Sequence, residues 1–271
     1  MSKTLANLLG TLALIGWSLN IAVTRRLAEV DPYGLPAVSF IAAGIILLAF
    51  DHLRSGTKGK AKDPIKFWLL GGGAFVAYIV SYVLALSRVN SSEAGIALGL
   101  VNYFWPVLIL FLLPFFSHCR VSWTCLAFGM ALCLSGVAFA LLWGIPAREI
   151  VANLEENREA FIIMLAAAFL WAFYSNAIRQ WSGNANGTGW FQLASGLVFL
   201  VLWWERGTDL GLTPDLYIPL LLHILIVNAS SYLLWDLGVR YGDIVWLGIL
   251  SNFLPLASVL FGVWYLETSP T

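Results

Sequence analysis

The chain has 271 residues, of which 60% are hydrophobic and 11% charged, and its formal net charge is zero. A soluble domain carries roughly 25% charged residues, so this composition excludes one and indicates a protein embedded in a lipid bilayer. The balanced charge, without a basic block or an aromatic nucleic-acid motif, argues against a nucleic-acid partner.

Nine stretches of the sequence are apolar enough to cross a bilayer as helices, which requires roughly 17 to 25 mainly apolar residues. The first follows Lys3 and resembles the core of a signal peptide. No small-residue cleavage site follows it, so we predict a retained membrane helix. The predicted spans cover residues 5–24, 34–50, 67–87, 94–116, 121–143, 160–182, 189–204, 217–238 and 243–266. These spans predict an all-α membrane protein.

Segments of the first half of the chain recur about 150 residues later. Residues 81–102 align without a gap on residues 231–252, and residues 17–25 align on residues 171–179. Two copies of one helical unit are typical of secondary transporters, whose substrate site lies where the two halves meet. Identical aligned pairs include Trp17 with Trp171, Arg25 with Arg179, Ser81 with Ser231, Tyr82 with Tyr232, Val89 with Val239, and Asn102 with Asn252.

A proline follows each copy of the longer segment. The motif NYFWP covers residues 102–106, and NFLP covers residues 252–255. Proline removes a backbone donor and disturbs the preceding turn, so we predict helix breaks at Pro106 and Pro255. Carbonyl groups freed at such breaks face polar ligands in transporters, although a simple packing kink is the alternative.

The spans and their loops predict two inverted repeats of five transmembrane helices. After five spans, the second repeat begins on the opposite side of the membrane. Loops on the side of the N-terminus have an excess of Lys and Arg, above all in residues 51–66. Such loops face the cytoplasm, which predicts a cytoplasmic N-terminus. We divide the chain into a first repeat (1–143), an external linker (144–159) and a second repeat (160–271) with four visible helices, the tenth being expected after residue 271.

Neutral polar and aromatic side chains recur at helical spacing near the middle of several predicted spans. In the eighth span, Asn228, Ser231, Tyr232 and Trp235 share one helix face. Buried amides and hydroxyls need partners in hydrocarbon, so these faces should point at each other or at a water-filled cavity. The alternative is that they only hold helices together. The candidate substrate-binding residues are Trp17, Asn20, Tyr78, Tyr82, Asn102, Tyr103, Trp105, Trp171, Tyr174, Asn228, Ser231 and Asn252.

The middle of the predicted spans contains no acidic or basic residue. Proton-driven pumps normally carry a titratable group there, which favours transport down the substrate's own gradient. A proton step at His223, in the outer part of the eighth span, is the alternative. The histidines are scattered and Cys119, Cys125 and Cys133 lack paired spacing, so we predict buried thiols, no metal site and no cofactor. An uncharged cavity rich in aromatic rings and amides suits a small zwitterion.

The chain resembles the drug/metabolite transporter superfamily, and within it the bacterial aromatic amino acid exporters. The resemblance rests on GWSLN (16–20), LWAFYSNAIR (170–179), SYVLAL (81–86) and the two proline motifs. It implies ten helices in two inverted repeats and export from the cytoplasm across the bacterial inner membrane. It also implies a central cavity lined by the first, third, fourth, sixth, eighth and ninth helices. The chain departs from the family in lacking a recognisable tenth helix.

These observations predict a monomeric secondary transporter, not an enzyme, that lies in the lipid bilayer. It would export aromatic and other neutral amino acids by alternating access without proton coupling. A multidrug exporter for lipophilic cations is the first alternative, although it would benefit from a membrane-embedded carboxylate. An intramembrane enzyme would need a nucleophile and a base at depth, and a receptor or scaffold subunit has no need of an inverted repeat. Glycines predicted to permit close helix approach are Gly71, Gly72, Gly73, Gly95 and Gly99.

Overall fold

The computed structural model describes residues 1–54, 65–89, 92–117, 154–183 and 185–266, together with residues 122, 124, 127–129, 131 and 135. Regular structure in these residues is helical throughout, and they contain no β-strand. Most of the predicted fifth span lies outside the described residues, as do the three cysteines for which buried thiols are predicted.

The described residues form a series of apolar helices joined by short connections. Two π-helical segments, Phe67–Gly71 and His223–Ser230, lead directly into the helices that follow them. The α-helices are α1 (Lys3–Ser18), α2 (Asn20–Arg26), α3 (Gly34–Arg54), α4 (Gly72–Leu86), α5 (Ser92–Asn102), α6 (Trp105–Phe116), α7 (Arg158–Trp181), α8 (Thr188–Arg206), α9 (Tyr217–Leu222), α10 (Ser231–Tyr241), α11 (Ile244–Ser251) and α12 (Leu254–Leu266).

Six stretches among the described residues are long and apolar enough to cross a membrane. They correspond to the first, second, third, fourth, sixth and eighth predicted spans. The seventh predicted span forms α8 and the ninth forms α11 and α12, but neither is among the six, so the total of nine stays a prediction. The six stretches are Lys3–Arg26, Gly34–Leu53, Phe67–Leu86, Ala97–Phe116, Arg158–Trp181 and Pro214–Tyr241.

Helices α3 and α8 pack against each other in antiparallel directions. Gly44 lies against the backbone of Leu193, and Gly196 lies against the backbone of Ile41. Contacts therefore move backward along α8 as they move forward along α3. A β-carbon at Gly44 would lie 2.8 Å from the Leu193 nitrogen, and one at Gly196 would lie 2.6 Å from the Ile41 nitrogen. Glycine permits this approach, as small residues do between membrane helices.

Helices α1 and α10 form a second antiparallel pair. Gly10 touches Gly238 near the end of the bundle where Lys3 lies, and the Trp17 and Tyr232 rings meet 5.1 Å apart further along. A β-carbon at Gly238 would lie 2.6 Å from the Gly10 α-carbon. We call the end of the bundle that carries Lys3 the amino-terminal end, and the other the opposite end.

Helices α4 and α7 form a third antiparallel pair, whose contacts are aromatic. The rings of Phe75 and Tyr174 lie 5.0 Å apart, and those of Tyr78 and Trp171 lie 4.9 Å apart. Among the described residues, the prediction of close helix approach was wrong at Gly73, Gly95 and Gly99, because a β-carbon at any of them would meet no atom of those residues within 4 Å.

Three of the apolar stretches are interrupted near their middle. Helix α1 passes into α2 at Leu19, α5 into α6 at residues 103–104, and α11 into α12 at residues 252–253. Pro106 and Pro255 each occupy the second position of the helix after the break. Proline is tolerated there because the amide it lacks would have no partner within the helix.

Candidate functional site

Aromatic side chains from several helices meet between the α1–α10 pair and the α4–α7 pair. Their rings lie 4.9–6.3 Å from at least one other ring of the group. Such distances are typical of favourable ring contacts, each worth about 0.5–1.5 kcal/mol beyond the area it buries. The group, which we call the central cluster, consists of Trp17 on α1, Phe75 and Tyr78 on α4, Trp105 on α6, Trp171 and Tyr174 on α7, and Tyr232 and Trp235 on α10.

Trp171 connects the two helix pairs. Its ring lies 4.9 Å from that of Tyr78 in its own pair, 5.5 Å from that of Trp17 and 5.6 Å from that of Tyr232 in the other pair. The Trp171 side chain is 2% exposed. Any movement that separates the two pairs must therefore break ring contacts of Trp171.

Polar atoms of the cluster are incompletely hydrogen-bonded. The Trp235 Nε1 atom donates to Ser175 Oγ at 3.2 Å, which joins α10 to α7. Trp17 Nε1 is buried and has no hydrogen-bond partner among the described residues, and the same is true of Asn102 Oδ1, whose side chain lies beside Tyr78. An unpaired buried donor or acceptor costs about 1–3 kcal/mol. The site thus retains a free donor and a free acceptor among aromatic rings.

Most of the predicted site residues lie in or beside the central cluster. Tyr82 touches Tyr78 at a ring distance of 6.1 Å. The Tyr103 hydroxyl lies 3.4 Å from Ser258 Oγ, which connects the break before α6 to α12. The Ser231 hydroxyl donates to the Ile226 carbonyl of its own helix. Members of the predicted set that belong to the cluster are Trp17, Tyr78, Trp105, Trp171 and Tyr174.

Other predicted residues lie away from the central cluster. Asn252 is exposed, and its side-chain amide donates to the Gly248 and Ile249 carbonyls of its own helix. Asn20 is half-buried on α2. Cluster members absent from the predicted set are Phe75, Tyr232 and Trp235, although the last two share the predicted polar face of the eighth span.

The aromatic faces of the cluster point at each other rather than at an open cavity. Two concavities of the described residues lie elsewhere. One, of about 330 Å³, is lined by residues of the first π-helical segment, α4 and α7, such as Leu70, Ala74 and Phe169. The other, of about 480 Å³, lies at the opposite end of the bundle beside Arg26, Glu29 and Asp215. The cluster is closed in this conformation, because the side chains of Trp171, Tyr174 and Trp235 are no more than 2% exposed.

Asn228 belongs to a separate buried polar group around His223. The His223 Nδ1 atom lies 2.9 Å from Ser39 Oγ on α3 and 3.4 Å from Asn228 Nδ2. Gln192 on α8 donates to the Asn228 backbone carbonyl at 2.9 Å. The π-helical segment His223–Ser230 thus contacts the α3–α8 pair through the His223 side chain and the Asn228 carbonyl.

Buried charges cross-link the helices at the amino-terminal end. Arg240 lies 3.4 Å from Asp236 and donates to Ser182 Oγ at 2.7 Å, and the Thr188 hydroxyl donates to Asp236 at 3.2 Å. The Arg240 and Asp236 side chains are 6% and 1% exposed. The sequence analysis did not predict this pair, which the i, i+4 spacing of Asp236 and Arg240 could have indicated.

Comparisons with known proteins cover nearly the whole chain. The EamA-like transporter family matches residues 4–142. The aromatic amino acid exporter YddG of Escherichia coli (strain K12) is 25% identical over 269 residues, with 95% of this chain and 87% of that protein covered. YddG of Ancylobacter novellus is 27% identical over 274 residues, with 96% and 88% covered. A solved crystal structure with 25% identity superimposes with a TM-score of 0.82 over 100% of this chain and 91% of the other.

Proposed function

The chain belongs to the EamA-like transporter family of the drug/metabolite transporter superfamily, and from this premise we propose that it exports aromatic and other neutral amino acids. It is a multi-pass membrane protein. Export would run from the cytoplasm by alternating access, with the amino-terminal end facing the cytoplasm. The relatives named as aromatic amino acid exporters support this choice of substrate.

The central cluster is the observation that carries the proposal. Its rings offer faces and edges to an aromatic side chain, and none of its members is charged at neutral pH. Trp17 Nε1 supplies a donor for a carboxylate and Asn102 Oδ1 an acceptor for an ammonium group. A net-neutral zwitterion satisfies both atoms without adding an unpaired charge at depth.

Alternating access requires the two helix pairs to separate at one end at a time. Trp17, Tyr232 and Trp235 come from the α1–α10 pair, whereas Tyr78 and Trp171 come from the α4–α7 pair. A substrate ring would replace the contacts between the pairs that Trp171 now makes. The closed cluster would thus be the substrate site in an empty conformation, in which its own rings contact each other in place of a substrate ring.

The antiparallel pairs support two inverted repeats. Residues 17–25 align on residues 171–179, and these segments lie on α1–α2 and α7. Residues 81–86 align on 231–236, at the ends of α4 and the start of α10. Helix α1 thus corresponds to α7, and α10 corresponds to α4. A two-fold axis in the membrane plane would relate the α1–α10 pair to the α7–α4 pair in this way. A tenth helix after residue 271 would complete the second repeat.

Transport would run down the amino acid gradient. The cluster contains no group that changes charge near neutral pH, so it provides no proton site. The test uses protein reconstituted in liposomes loaded with radiolabelled Phe, with and without a proton gradient. We expect efflux in both conditions. Flux of a lipophilic cation without flux of Phe, Trp or Thr would instead favour the multidrug alternative.

Trp171→Ala tests the site. Because Trp171 makes ring contacts on both sides of the cluster, we expect Phe efflux to fall by about tenfold or more. Trp171→Phe, which keeps a ring, should retain more activity and guards against loss of folding. The matched control is Trp264→Ala on α12, whose side chain is 72% exposed. Equal efflux from the Trp171→Ala and Trp264→Ala variants would place the substrate elsewhere.

A further inference from the structure

One arginine joins the two helix pairs at the amino-terminal end. The Arg179 Nη1 atom donates to the Val239 carbonyl at 2.7 Å and to the Gly242 carbonyl at 3.0 Å. These carbonyls lie at the last turn of α10, where helix carbonyls lack partners and a positive charge is favourable. Arg179 itself belongs to α7. The contact therefore holds the α4–α7 pair against the α1–α10 pair.

The aligned repeat contains the same parts at the opposite end. Arg25 aligns with Arg179, Val89 with Val239, and Ser92 with Gly242. Arg25 lies on α2 and Val89 follows α4, so they belong to different helix pairs. Arg25 is exposed, and among the described residues it forms no hydrogen bond or ion pair. The arginine contact between the helix pairs, which we call a latch, is thus formed at the amino-terminal end and not formed at the opposite end.

Exposed arginines at the opposite end differ in the contacts that they make. Arg88 donates to the Leu84 carbonyl of its own helix at 3.0 Å, and so it joins nothing. Arg26 lies beside the concavity of about 480 Å³ at this end. Of these three arginines, Arg25 aligns with a residue that forms a cross-link, Arg179.

We propose that Arg25 and Arg179 are alternating latches, and that in the other conformation Arg25 closes the opposite end by donating to the Val89 carbonyl. The inference rests on the alternating access of the proposed function. Arg179 releases the last turn of α10 when the amino-terminal end opens. The two contacts form in different conformations because rocking brings the helix pairs together at one end as it separates them at the other.

The amino-terminal latch has support that the other lacks. Asp236 aligns with Leu86, so the buried pair with Arg240 has no copy at the opposite end. Closure of the opposite end would therefore depend more heavily on Arg25. This asymmetry makes the conformation closed at the amino-terminal end the more stable of the two.

Distance measurements between spin labels test the proposal. The labels replace exposed residues on different helix pairs, in a background with Cys119→Ser, Cys125→Ser and Cys133→Ser. One protein carries labels at Leu5 and Ile65 near the amino-terminal end, and another carries them at Ile21 and Ile162 near the opposite end. Both are studied in liposomes without substrate.

In both labelled proteins, Arg179→Gln should raise the ratio of molecules open at the amino-terminal end to molecules closed there by about tenfold. A shift of this size corresponds to the free energy of one charged hydrogen bond. Adding Arg25→Gln to Arg179→Gln should reverse much of that shift, because the competing conformation then loses its own latch. Arg88→Gln is the matched control and should change neither distance. If Arg25→Gln leaves the Arg179→Gln populations unchanged, or moves them further the same way, the latch at Arg25 is refuted.

A flux assay keeps the test separate from the substrate assignment. Arg25→Gln alters an exposed side chain and should fold normally, yet it should slow Phe efflux severalfold because one conformation of the cycle is destabilised. Efflux equal to wild type would contradict the latch. If wild-type liposomes carry no Phe at all, the proposed substrate is wrong, while the distance measurements still decide whether the latches alternate.

Discussion

At the amino-terminal end of the bundle, Arg240 and Asp236 form a buried ion pair, whereas at the opposite end the buried Asp31 carboxylate is held by hydrogen bonds from neutral groups. Arg240 and Asp236 are almost completely buried in the first region. Asp31, in the second, accepts hydrogen bonds from the Tyr33 and Gly34 amides at the start of α3 and from the Thr208 hydroxyl. Buried charges must stay paired, because an uncompensated ion in a low dielectric is costly. The amino-terminal end should therefore resist opening more than the opposite end does.

The largest effect should follow the removal of one partner of the buried pair. Arg240→Gln leaves the Asp236 carboxylate buried without its cation, and we expect a loss of about 3–5 kcal/mol in the free energy of unfolding. Chemical unfolding in detergent micelles, followed by Trp fluorescence, measures it. Arg26→Gln at the opposite end is the matched control and should change stability by no more than about 0.5 kcal/mol.

Replacing both partners sharpens this result. Asp236→Leu with Arg240→Met removes both charges and installs at residue 236 the Leu that the aligned position 86 carries. We expect most of the lost stability to return, since apolar residues often replace buried ion pairs without loss. A double variant as unstable as Arg240→Gln would show that the hydrogen bonds to Ser182 and Thr188, not the charges, hold this end together.

A smaller effect should come from backbone proximity at the same end. Gly238→Ala places a β-carbon 2.6 Å from the Gly10 α-carbon, so α1 and α10 must move apart. We expect a loss of about 1–3 kcal/mol, as for other overpacked sites, in the same unfolding assay. Gly73→Ala, where a β-carbon meets nothing within 4 Å, is the control and should be neutral or slightly stabilising. Equal losses would mean that the cost arises from helix propensity rather than contact.

The sequence predicted the faces of single helices better than the burial of charges at their ends. Helical spacing predicted an aromatic and polar face on several spans, because spacing fixes which side chains of one helix share a face. In the structure Trp17, Tyr78 and Trp171 from three of these spans lie in ring contact, and their role in substrate binding stays a prediction. Charge pairing at Asp236 was missed because the sequence does not specify how deeply a helix end is covered by its neighbours. In the structure, Thr188 at the start of α8 donates to that carboxylate, and Ser182 after α7 accepts from its partner Arg240.

Tertiary contacts also determine which glycines lie in close helix contacts and which asparagines are buried. Gly10 and Gly238 touch because two distant segments cross there, and no local pattern distinguishes them from Gly73. Asn252 aligns with buried Asn102, yet it faces outward after α11 ends at Ser251. Sequence alignment of the repeats thus predicts where equivalent residues lie along a helix, but not which way a side chain points beside a break.

The smallest expected effect lies at the opposite end and depends on pH. Burial raises the pKa of the Asp31 carboxyl, but hydrogen bonds from the Thr208 hydroxyl and the Gly34 and Tyr33 amides, with the charge of Arg206, lower this pKa below its ordinary value overall. A carboxylate with a lowered pKa stabilises the fold above its unfolded pKa of about 4, and this contribution is lost as the pH falls through the folded value.

Asp31→Ala should therefore lower the free energy of unfolding by about 1 kcal/mol at neutral pH, as the loss of a helix cap does. Its difference from wild type should shrink as the pH falls below about 4, since both proteins then lack the carboxylate. Unfolding curves at several pH values measure this. Thr208→Val, which removes one hydrogen bond at 2.7 Å, should give a smaller difference with the same pH dependence. A difference that stays constant with pH would attribute the effect to packing around α3 rather than to the carboxylate, and the opposite end would then be held without any contribution from charge.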